Sequence, residues 1–175
     1  ETAFMLNEGK SGPTEDHLMT DMLWEVYAVK YADRNNRMRV ESFILDPAHD
    51  QPHPMDYFVW VLKAGERVIM VDTGYDHDEA KRRGREILRQ PVKAIEALGL
   101  GAEDVDDIIV THLHYDHAGC LGDFPRAKIH IHPVEMAYAT GPCMCEDALR
   151  MPFTGAHICD ACLLYTSPSP RDVRS

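Results

Sequence analysis

The residues best suited to chemistry lie in one short segment of the chain. Three histidines and one aspartate occur within six consecutive positions, at His112, His114, Asp116 and His117. Imidazole and carboxylate groups are the usual ligands of zinc and of the metals that resemble it. The apolar run 108–110 directly before them predicts a buried strand, which places the four side chains on a loop at its carboxyl end. Ligands of open α/β sheets gather at that edge, so we predict a metal site here.

The spacing within this segment favours two metal ions over one. Residues i and i+2 of an extended segment point the same way, so His112 and His114 can bind one ion together. Asp116 and His117 follow the turn and point elsewhere, which suits a second ion about 3.5–4 Å from the first. A lone histidine is usually an ordinary surface or core residue. Four ligand-type residues in so short a run are much less often a coincidence.

The elements predicted around this loop are strands followed by alternating strands and helices. Strands are predicted at 23–29, 57–62, 68–71, 108–110 and 128–132. Helices are predicted at 79–88, 92–98 and 133–139. The second and third strands form a hairpin through Gly65 and Glu66 that ends in Asp72-Thr73-Gly74. This order indicates an α/β sheet with helices packed outside it.

The sequence predicts the burial of one segment and the exposure of another. Residues 57–62 form a continuous apolar run, which is typical of a strand covered on both faces. We therefore expect Phe58 and Trp60 to lie in the core. The basic run 81–85 is expected to be a solvated helix face.

The histidine loop resembles the HxHxDH signature of the metallo-β-lactamase superfamily, in the form His-Leu-His-Tyr-Asp-His-Ala-Gly at 112–119. Asp72-Thr73-Gly74 resembles the earlier Asp motif of the same superfamily, at a typical upstream distance. The resemblance covers about residues 23–161. Within the superfamily the chain is most similar to the N-acyl-homoserine lactonase group. That narrower resemblance rests on residues 58–60, 71–74, 111–119 and 135–141.

The resemblance implies an α/β fold that is half of an αββα sandwich, a mixed sheet with helices on its outer face. It implies two Zn²⁺ ions, or other divalent transition metals, in a complete site. His112 and His114 would bind the first ion, and Asp116 and His117 would bind the second. Asp72 would accept the hydrogen bonds that fix the histidine loop.

The implied activity is hydrolysis, in which a hydroxide bridging two metals opens the lactone ring of an N-acyl-homoserine lactone. Tyr115 would line the substrate side, and Asp116 would be a candidate proton donor to the leaving alkoxide. The expected partner is a small-molecule lactone or ester. Three alternatives stay open: a thioester hydrolase of the glyoxalase II kind, another ester or lactam hydrolase of the superfamily, and a non-catalytic metal-binding fragment.

The chain matches only part of the superfamily's pattern. The further His, bridging Asp and final His of the family come from a second half, and His157 and Asp160 lie in no matching motif. Residues 162–175 resemble the translation of a sequencing-library adapter. We therefore expect a loose arm at 1–20, a domain at 21–161 that is cut near Ala161, and an artefactual, unpacked tail at 162–175. The catalytic site of this chain is expected to be incomplete, and the chain to be inactive by itself.

Composition excludes several classes of function. The chain has 175 residues and a net charge of −11, from 18 Lys and Arg against 29 Asp and Glu. That charge repels phosphate backbones, so nucleic acid is not an expected partner. No apolar run approaches the roughly 18 residues of a membrane-spanning helix, so no membrane partner is expected. Five cysteines without framework spacing favour a reducing compartment, and we expect the cytoplasm.

Two weaker signals have simple interpretations. His130 and His132 share one face of a strand, and a solvated strand face explains them better than a metal site. Four cysteines could form a thiolate zinc site: Cys143, Cys145, Cys159 and Cys162. Cys-x-Cys is not a usual zinc knuckle, however, and Cys162 falls in the predicted tail.

Overall fold

The part of the chain that a computed structural model describes, residues 23–165, contains a mixed sheet of six strands. These are β1 (Glu25–Arg34), β2 (Met55–Ala64), β3 (Arg67–Val71), β4 (Glu86–Ile87), β5 (Asp107–Val110) and β6 (Lys128–Ile131). Their order across the sheet is β4-β1-β2-β3-β5-β6. The pairs from β4 to β3 are antiparallel, and the pairs from β3 to β6 are parallel. The predicted hairpin is present as β2 and β3, with Gly65 in its turn at a φ of 59°.

The described helices are α1 (His77–Arg83), α2 (Pro91–Ala94), α3 (Pro133–Ala139), α4 (Asp147–Arg150) and α5 (Gly155–Leu164). α3 has the predicted bounds, and the second predicted helix forms as α2 followed by a 3-10 turn, Ile95–Leu98. α1 ends earlier than predicted, because Gly84 adopts a left-handed conformation with a φ of 60°. The chain then enters β4, so the predicted helix over 84–88 is wrong. None of the helices between residues 23 and 165 is long and apolar enough to cross a membrane.

Helices cover one face of the sheet. On that face, Val59 and Val61 of β2 belong to the same buried cluster as Ala94 of α2 and Ala161 of α5. The architecture predicted from the sequence, an α/β fold with a mixed sheet and helices on its outer face, is confirmed. The other face of β2 carries two large aromatic side chains.

Phe58 and Trp60 lie on the opposite face of β2, where each is 39% exposed. The expectation that both belong to the core is therefore wrong for the described part of the chain. Successive side chains of a strand point to opposite faces of the sheet, so only alternate members of the apolar run reach the helix-covered side. The burial pattern of β2 follows this alternation.

The predicted boundary at Ala161 does not coincide with the end of an element. Ala161 is fully buried, and α5 continues through it to Leu164. Tyr165 then forms an isolated parallel bridge with Ile129 of β6. The first four residues of the predicted tail are thus part of a structured region, which differs from the expectation that they are unpacked. The predicted arm at 1–20 and the rest of the tail at 166–175 lie outside the described residues.

Glu79 of α1 is a buried carboxylate that pairs with two arginines. Its side chain is 3% exposed and accepts hydrogen bonds from Arg82 and Arg83. Arg82 also donates to the Thr154 hydroxyl at 3.0 Å, and Arg83 donates to the carbonyl of Met151 at 3.0 Å. The basic run is therefore not a simple solvated face, because Arg83 is held against the protein by the buried carboxylate. This cluster ties α1 to the segment that precedes α5.

We expect Glu79→Gln to remove a pH-dependent part of the stability. Burial by itself raises the pKa of Glu79, but the hydrogen bonds from Arg82 and Arg83 outweigh it and lower that pKa from 4.5 to about 2. Because the folded-state pKa is depressed, the stabilisation is complete above about pH 4.5 and is lost as the pH falls towards 2. At pH 7 the free energy of unfolding should fall by about 2 kcal/mol in the variant.

Urea denaturation at pH 7 and pH 3 measures this effect, and the gap between wild type and variant should narrow at pH 3. Glu96→Gln is the matched control, since Glu96 pairs with Lys93 on the surface and such pairs contribute little. A similar loss of stability in both variants would contradict the role given to Glu79.

Candidate metal centre

The parallel pairing of β3 and β5 places the two motifs side by side. Val71 pairs with Ile109 at the carboxyl ends of these strands. The backbone N–H of Asp72 continues this pairing and donates to the carbonyl of Ile109 at 2.9 Å. Asp72 and Thr111 therefore leave the sheet next to each other, at the edge where the histidine loop begins.

Asp72 holds both the start and the end of that loop. Asp72 is 6% exposed, and its carboxylate accepts from the backbone N–H of Thr111 at 2.8 Å and from the Thr111 hydroxyl at 2.8 Å. The other end of the loop reaches the same carboxylate, since Nδ1 of His117 lies 2.8 Å from Oδ2 of Asp72. A carboxylate only accepts, so Nδ1 is the donor and Nε2 of His117 stays available as a ligand atom.

The backbone of Asp72 is itself unusual. Its φ is 61°, in the left-handed region that few residues other than glycine adopt. Such a conformation persists only where the surrounding contacts determine it. The hydrogen bonds from Thr111 and His117 are contacts of that kind.

We expect Asp72→Asn to weaken zinc binding by about 10–100-fold, because the partners behind a metal ligand contribute that much to affinity. Asparagine keeps the shape of the side chain but loses one of the two acceptor oxygens. Titration calorimetry with Zn²⁺ measures the change. Asp106→Asn is the matched control, since Asp106 accepts from the N–H of Val68 at 3.0 Å at the opposite ends of the same two strands. Equal zinc affinity in wild type and Asp72→Asn would contradict the positioning role.

The four predicted ligand residues lie close together at the end of β5. The ring centroid of His112 is 4.4 Å from that of His114 and 3.9 Å from that of His117. Oδ2 of Asp116 lies 3.8 Å from Nε2 of His117. The structure thus brings the four side chains into one cluster, with Asp72 in contact with it.

Burial and neighbouring groups shift the pKa values of these histidines in different directions. Burial lowers the pKa of His112 and of His114, and the positive charge that His117 can carry lowers that of His112 further. Burial also opposes protonation of His117, but its hydrogen bond with Asp72 outweighs this and its pKa is raised. Metal ligands must be neutral imidazoles, so the environment of His112 and His114 favours the form that binds an ion.

The donor set suits a divalent metal, although the side chains are not arranged as ligands. Three imidazoles and one carboxylate are donors that zinc and its neighbours accept. Between residues 23 and 165, however, no group of three or more His, Cys, Asp or Glu side chains is placed so that it could hold an ion.

Hydrogen bonds from neighbouring segments fix the backbone of the loop. The N–H and the hydroxyl of Thr73 both donate to the carbonyl of His117, at 2.7 and 3.3 Å. The N–H of Leu113 donates to the Glu135 carboxylate of α3 at 2.7 Å. The sequence by itself gave Thr73, Thr111 and Glu135 no separate role, because their partners lie far away in the chain. The only local sign was the position of Thr111 directly before the first histidine.

Tyr115 packs into a group of tyrosines next to the loop. Its hydroxyl lies 3.4 Å from that of Tyr57, and its ring centroid lies 5.6 Å from that of Tyr75. The guanidinium of Arg83 lies over its ring, 3.8 Å from the centroid. These contacts are with the protein interior, so the substrate-lining role of Tyr115 stays a prediction.

The other histidines and the cysteines singled out in the sequence do not join the loop. His130 hydrogen-bonds Asp107 at 2.7 Å, and the side chain of His132 caps α3. His157 is buried against Gly119, with Nε2 4.0 Å from Oδ2 of Asp76. The cysteines are all free thiols. His130 and His132 thus each contact another protein group, and the interpretation of the cysteines stays a prediction.

Comparison with known proteins places this loop in a family context. A model of the metallo-beta-lactamase superfamily matches residues 54–173. Over 93 residues the chain is 38% identical to the N-acyl homoserine lactonase AiiB of Agrobacterium fabrum, a match that covers 46% of this chain and 34% of that protein. Over 89 residues it is 30% identical to "Probable metallo-hydrolase Rv2300c" of Mycobacterium tuberculosis, covering 44% of this chain and 29% of that protein.

A solved structure shows the same fold. An N-acyl homoserine lactone hydrolase with the product N-hexanoyl-L-homoserine at its catalytic metal centre superposes with a TM-score of 0.54 and 18% sequence identity. The superposition covers 77% of this chain and 55% of that one. The chain thus spans about half of the solved hydrolase and about a third of the curated relatives.

Proposed function

Because the chain belongs to the metallo-β-lactamase superfamily, we propose that it carries the histidine loop of a metal-dependent hydrolase that opens the lactone ring of N-acyl-homoserine lactones. One observation carries the proposal: Asp72 hydrogen-bonds both Thr111 and His117, and so holds a set of imidazole and carboxylate donors at one sheet edge. The choice of substrate is supported by the similarity to AiiB, which is named as an N-acyl homoserine lactonase.

In this proposal the loop divides its ligands between two divalent ions, most simply Zn²⁺. His112 and His114 bind one ion, and Asp116 and His117 bind the other. Bound metal supplies activated water near neutral pH and polarises the carbonyl oxygen of a lactone. Asp72 keeps a proton on Nδ1 of His117, which leaves Nε2 as the ligand atom and fixes the orientation of the ring.

Asp116 is proposed as the proton donor to the leaving alkoxide: its carboxylate would accept the proton of the water that adds to the lactone carbonyl and pass it to the alkoxide that leaves when the ring C–O bond breaks. Its carboxylate lies 3.8 Å from Nε2 of His117, and its side chain is 22% exposed, so it is placed at the edge of the proposed ligand cluster. A positioned acid of this kind contributes about 10²–10⁴-fold to a rate.

The four loop residues supply two protein ligands to each of two ions, whereas a catalytic zinc normally has three protein ligands and a water. We therefore expect little turnover from these 175 residues by themselves. Thioesters and other esters present the same kind of carbonyl, and the loop does not distinguish them from lactones. A panel of a lactone, a thioester and a simple ester separates these substrate classes.

The test is ring opening of N-hexanoyl homoserine lactone by the zinc-loaded chain, followed by the release of acid. Any turnover should disappear on addition of EDTA and in the His114→Ala variant. His130→Ala should leave it unchanged, because His130 lies on β6 and contacts Asp107 instead of the loop. A rate that survives both EDTA and His114→Ala would contradict the proposal.

A further inference from the structure

A cleft lies between α1, α4 and α5, near the histidine loop. Its volume is about 530 Å³, within the range of roughly 300–1,000 Å³ that is usual for small-molecule sites. The buried Phe153 lies deep in it, and the exposed Met151 lies at its mouth. We call it the arginine cleft, because Arg82, Arg83 and Arg150 line it.

The charge of the arginine cleft is opposite to that of the chain. The chain carries a net charge of −11, yet three guanidinium groups and no carboxylate line the cleft. Glu79 pairs with both Arg82 and Arg83, so one negative charge faces two positive ones. Asp147 pairs with Arg150 on the surface, where the Asp147 side chain is 89% exposed and the pair is weak. The cleft therefore keeps an excess of positive charge.

Two of these arginines can reach a ligand from solvent. The side chains of Arg82 and Arg150 are each 55% exposed. Arg82 donates to Glu79 and Thr154 through Nε and Nη2. A guanidinium has five N–H donors, so the Nη1 group of Arg82 remains for an anion.

The remaining surface of the cleft is apolar. Met144, Met151, Phe153 and Ile158 contribute it. Methionine side chains are flexible and polarizable, and they adapt to alkyl chains of different shape. The ring centroid of Phe153 lies 4.8 Å from that of His114, so the deep end of the cleft adjoins the histidine loop.

We propose that the arginine cleft binds an amphipathic anion, a medium-chain carboxylate. Its head group contacts Arg82 and Arg150, and its alkyl chain lies along Met144, Met151 and Phe153. This binding is separate from the hydrolysis proposed above and needs no metal. The positive charge of the cleft favours a carboxylate head group, and the apolar side chains of the cleft favour an alkyl chain.

Titration calorimetry of the 175-residue chain with octanoate, in EDTA, tests this binding. Octanoate should bind at least about tenfold more tightly than butanoate, because each further buried methylene changes affinity by about fourfold. Octanol, which has the chain without the charge, should bind at least about tenfold more weakly than octanoate, because hydrogen bonds to a charged group are stronger than those to a neutral one. Octanoate should also shift the methyl NMR signals of Met144 and Met151. Since the buffer contains EDTA, the result is independent of the hydrolase proposal.

Met151→Glu places a negative charge at the mouth of the cleft and should weaken octanoate binding at least about tenfold, because like charges repel. Leu149→Glu is the matched control, since Leu149 is exposed on α4 but does not line the cleft. Both positions are on the surface, and thermal denaturation verifies that both variants fold. The proposal is overturned if octanoate does not bind, if octanol binds as well as octanoate, or if both variants lose affinity equally.

Discussion

Replacing Gly119 with alanine is expected to lower the free energy of unfolding by about 3 kcal/mol or more. A Cβ at this position would lie 2.7 Å from the carbonyl oxygen of Gly74, 2.8 Å from Cα of Tyr75 and 3.0 Å from Cε1 of His157. Two of these neighbours are backbone atoms, which cannot move unless the whole segment after Asp72 shifts. The N–H of Gly119 also donates to the carbonyl of Gly74 at 2.8 Å, so the clash falls on a contact that joins the two motifs.

Gly122→Ala is the matched control for this prediction, because a Cβ at Gly122 meets no heavy atom within 4 Å. It should change the stability by less than about 0.5 kcal/mol. Chemical denaturation followed by circular dichroism measures both variants. If Gly119→Ala were as stable as Gly122→Ala, the close packing of the Gly74 segment against the histidine loop would be contradicted.

Replacing His114 with alanine is expected to weaken zinc binding by about 100-fold or more, since it removes a direct ligand and not only a group behind one. His112 would then be the only imidazole of its pair, and a single imidazole holds an ion poorly. Competition with a chelator of known affinity, followed by calorimetry, measures the loss. The effect should exceed that of Asp72→Asn, which leaves every proposed ligand in place.

His130→Ala is the control, because it removes an imidazole that lies outside the histidine loop. His130 is about half exposed and hydrogen-bonds Asp107 on the sheet, so its removal should leave zinc affinity within about twofold of wild type. Zinc affinity that falls equally in His114→Ala and His130→Ala would mean that the ion binds outside the histidine loop.

The elements of this protein could be predicted where the signal is local. The donors of the histidine loop lie within six consecutive residues, and the strand before them is a short apolar run. The hairpin follows from two apolar runs joined at Gly65, and α3 follows from Pro133 at its first position. Each of these signals lies in a few neighbouring residues, so these elements can be predicted without knowledge of the tertiary structure.

The predictions that were wrong concern the end of a helix and the burial of one face of a strand. An apolar run indicates a strand, but it does not say which of its faces will be covered, and Phe58 and Trp60 are therefore more exposed than expected. A stretch rich in helix-forming residues indicates a helix, but the left-handed conformation of Gly84 ends α1 five residues before the predicted position. The helices that pack on the sheet decide which face of β2 is buried, whereas the end of α1 is a local feature, since the N–H of Gly84 donates to the carbonyls of Ala80 and Lys81.

The sequence by itself determined which donor groups exist and that they follow a strand; only the tertiary structure decided how they are held and that Ile109, predicted to be buried in that strand, is 43% exposed. Asp72 and His117 are 45 residues apart in the chain, and their hydrogen bond exists because β3 and β5 pair in parallel with Val71 opposite Ile109. The close approach of Gly119 to Gly74 joins the segments that follow the same two strands. The arginine cleft likewise gathers residues of α1, α3, α4 and α5 that lie far apart in the chain. A hydrogen bond forms only within a few tenths of an ångström of its ideal length. The hydrogen bond between Asp72 and His117 therefore needs the register between β3 and β5 to be correct. That register depends on how the two strands pair, and the sequence pattern of either strand alone does not specify it.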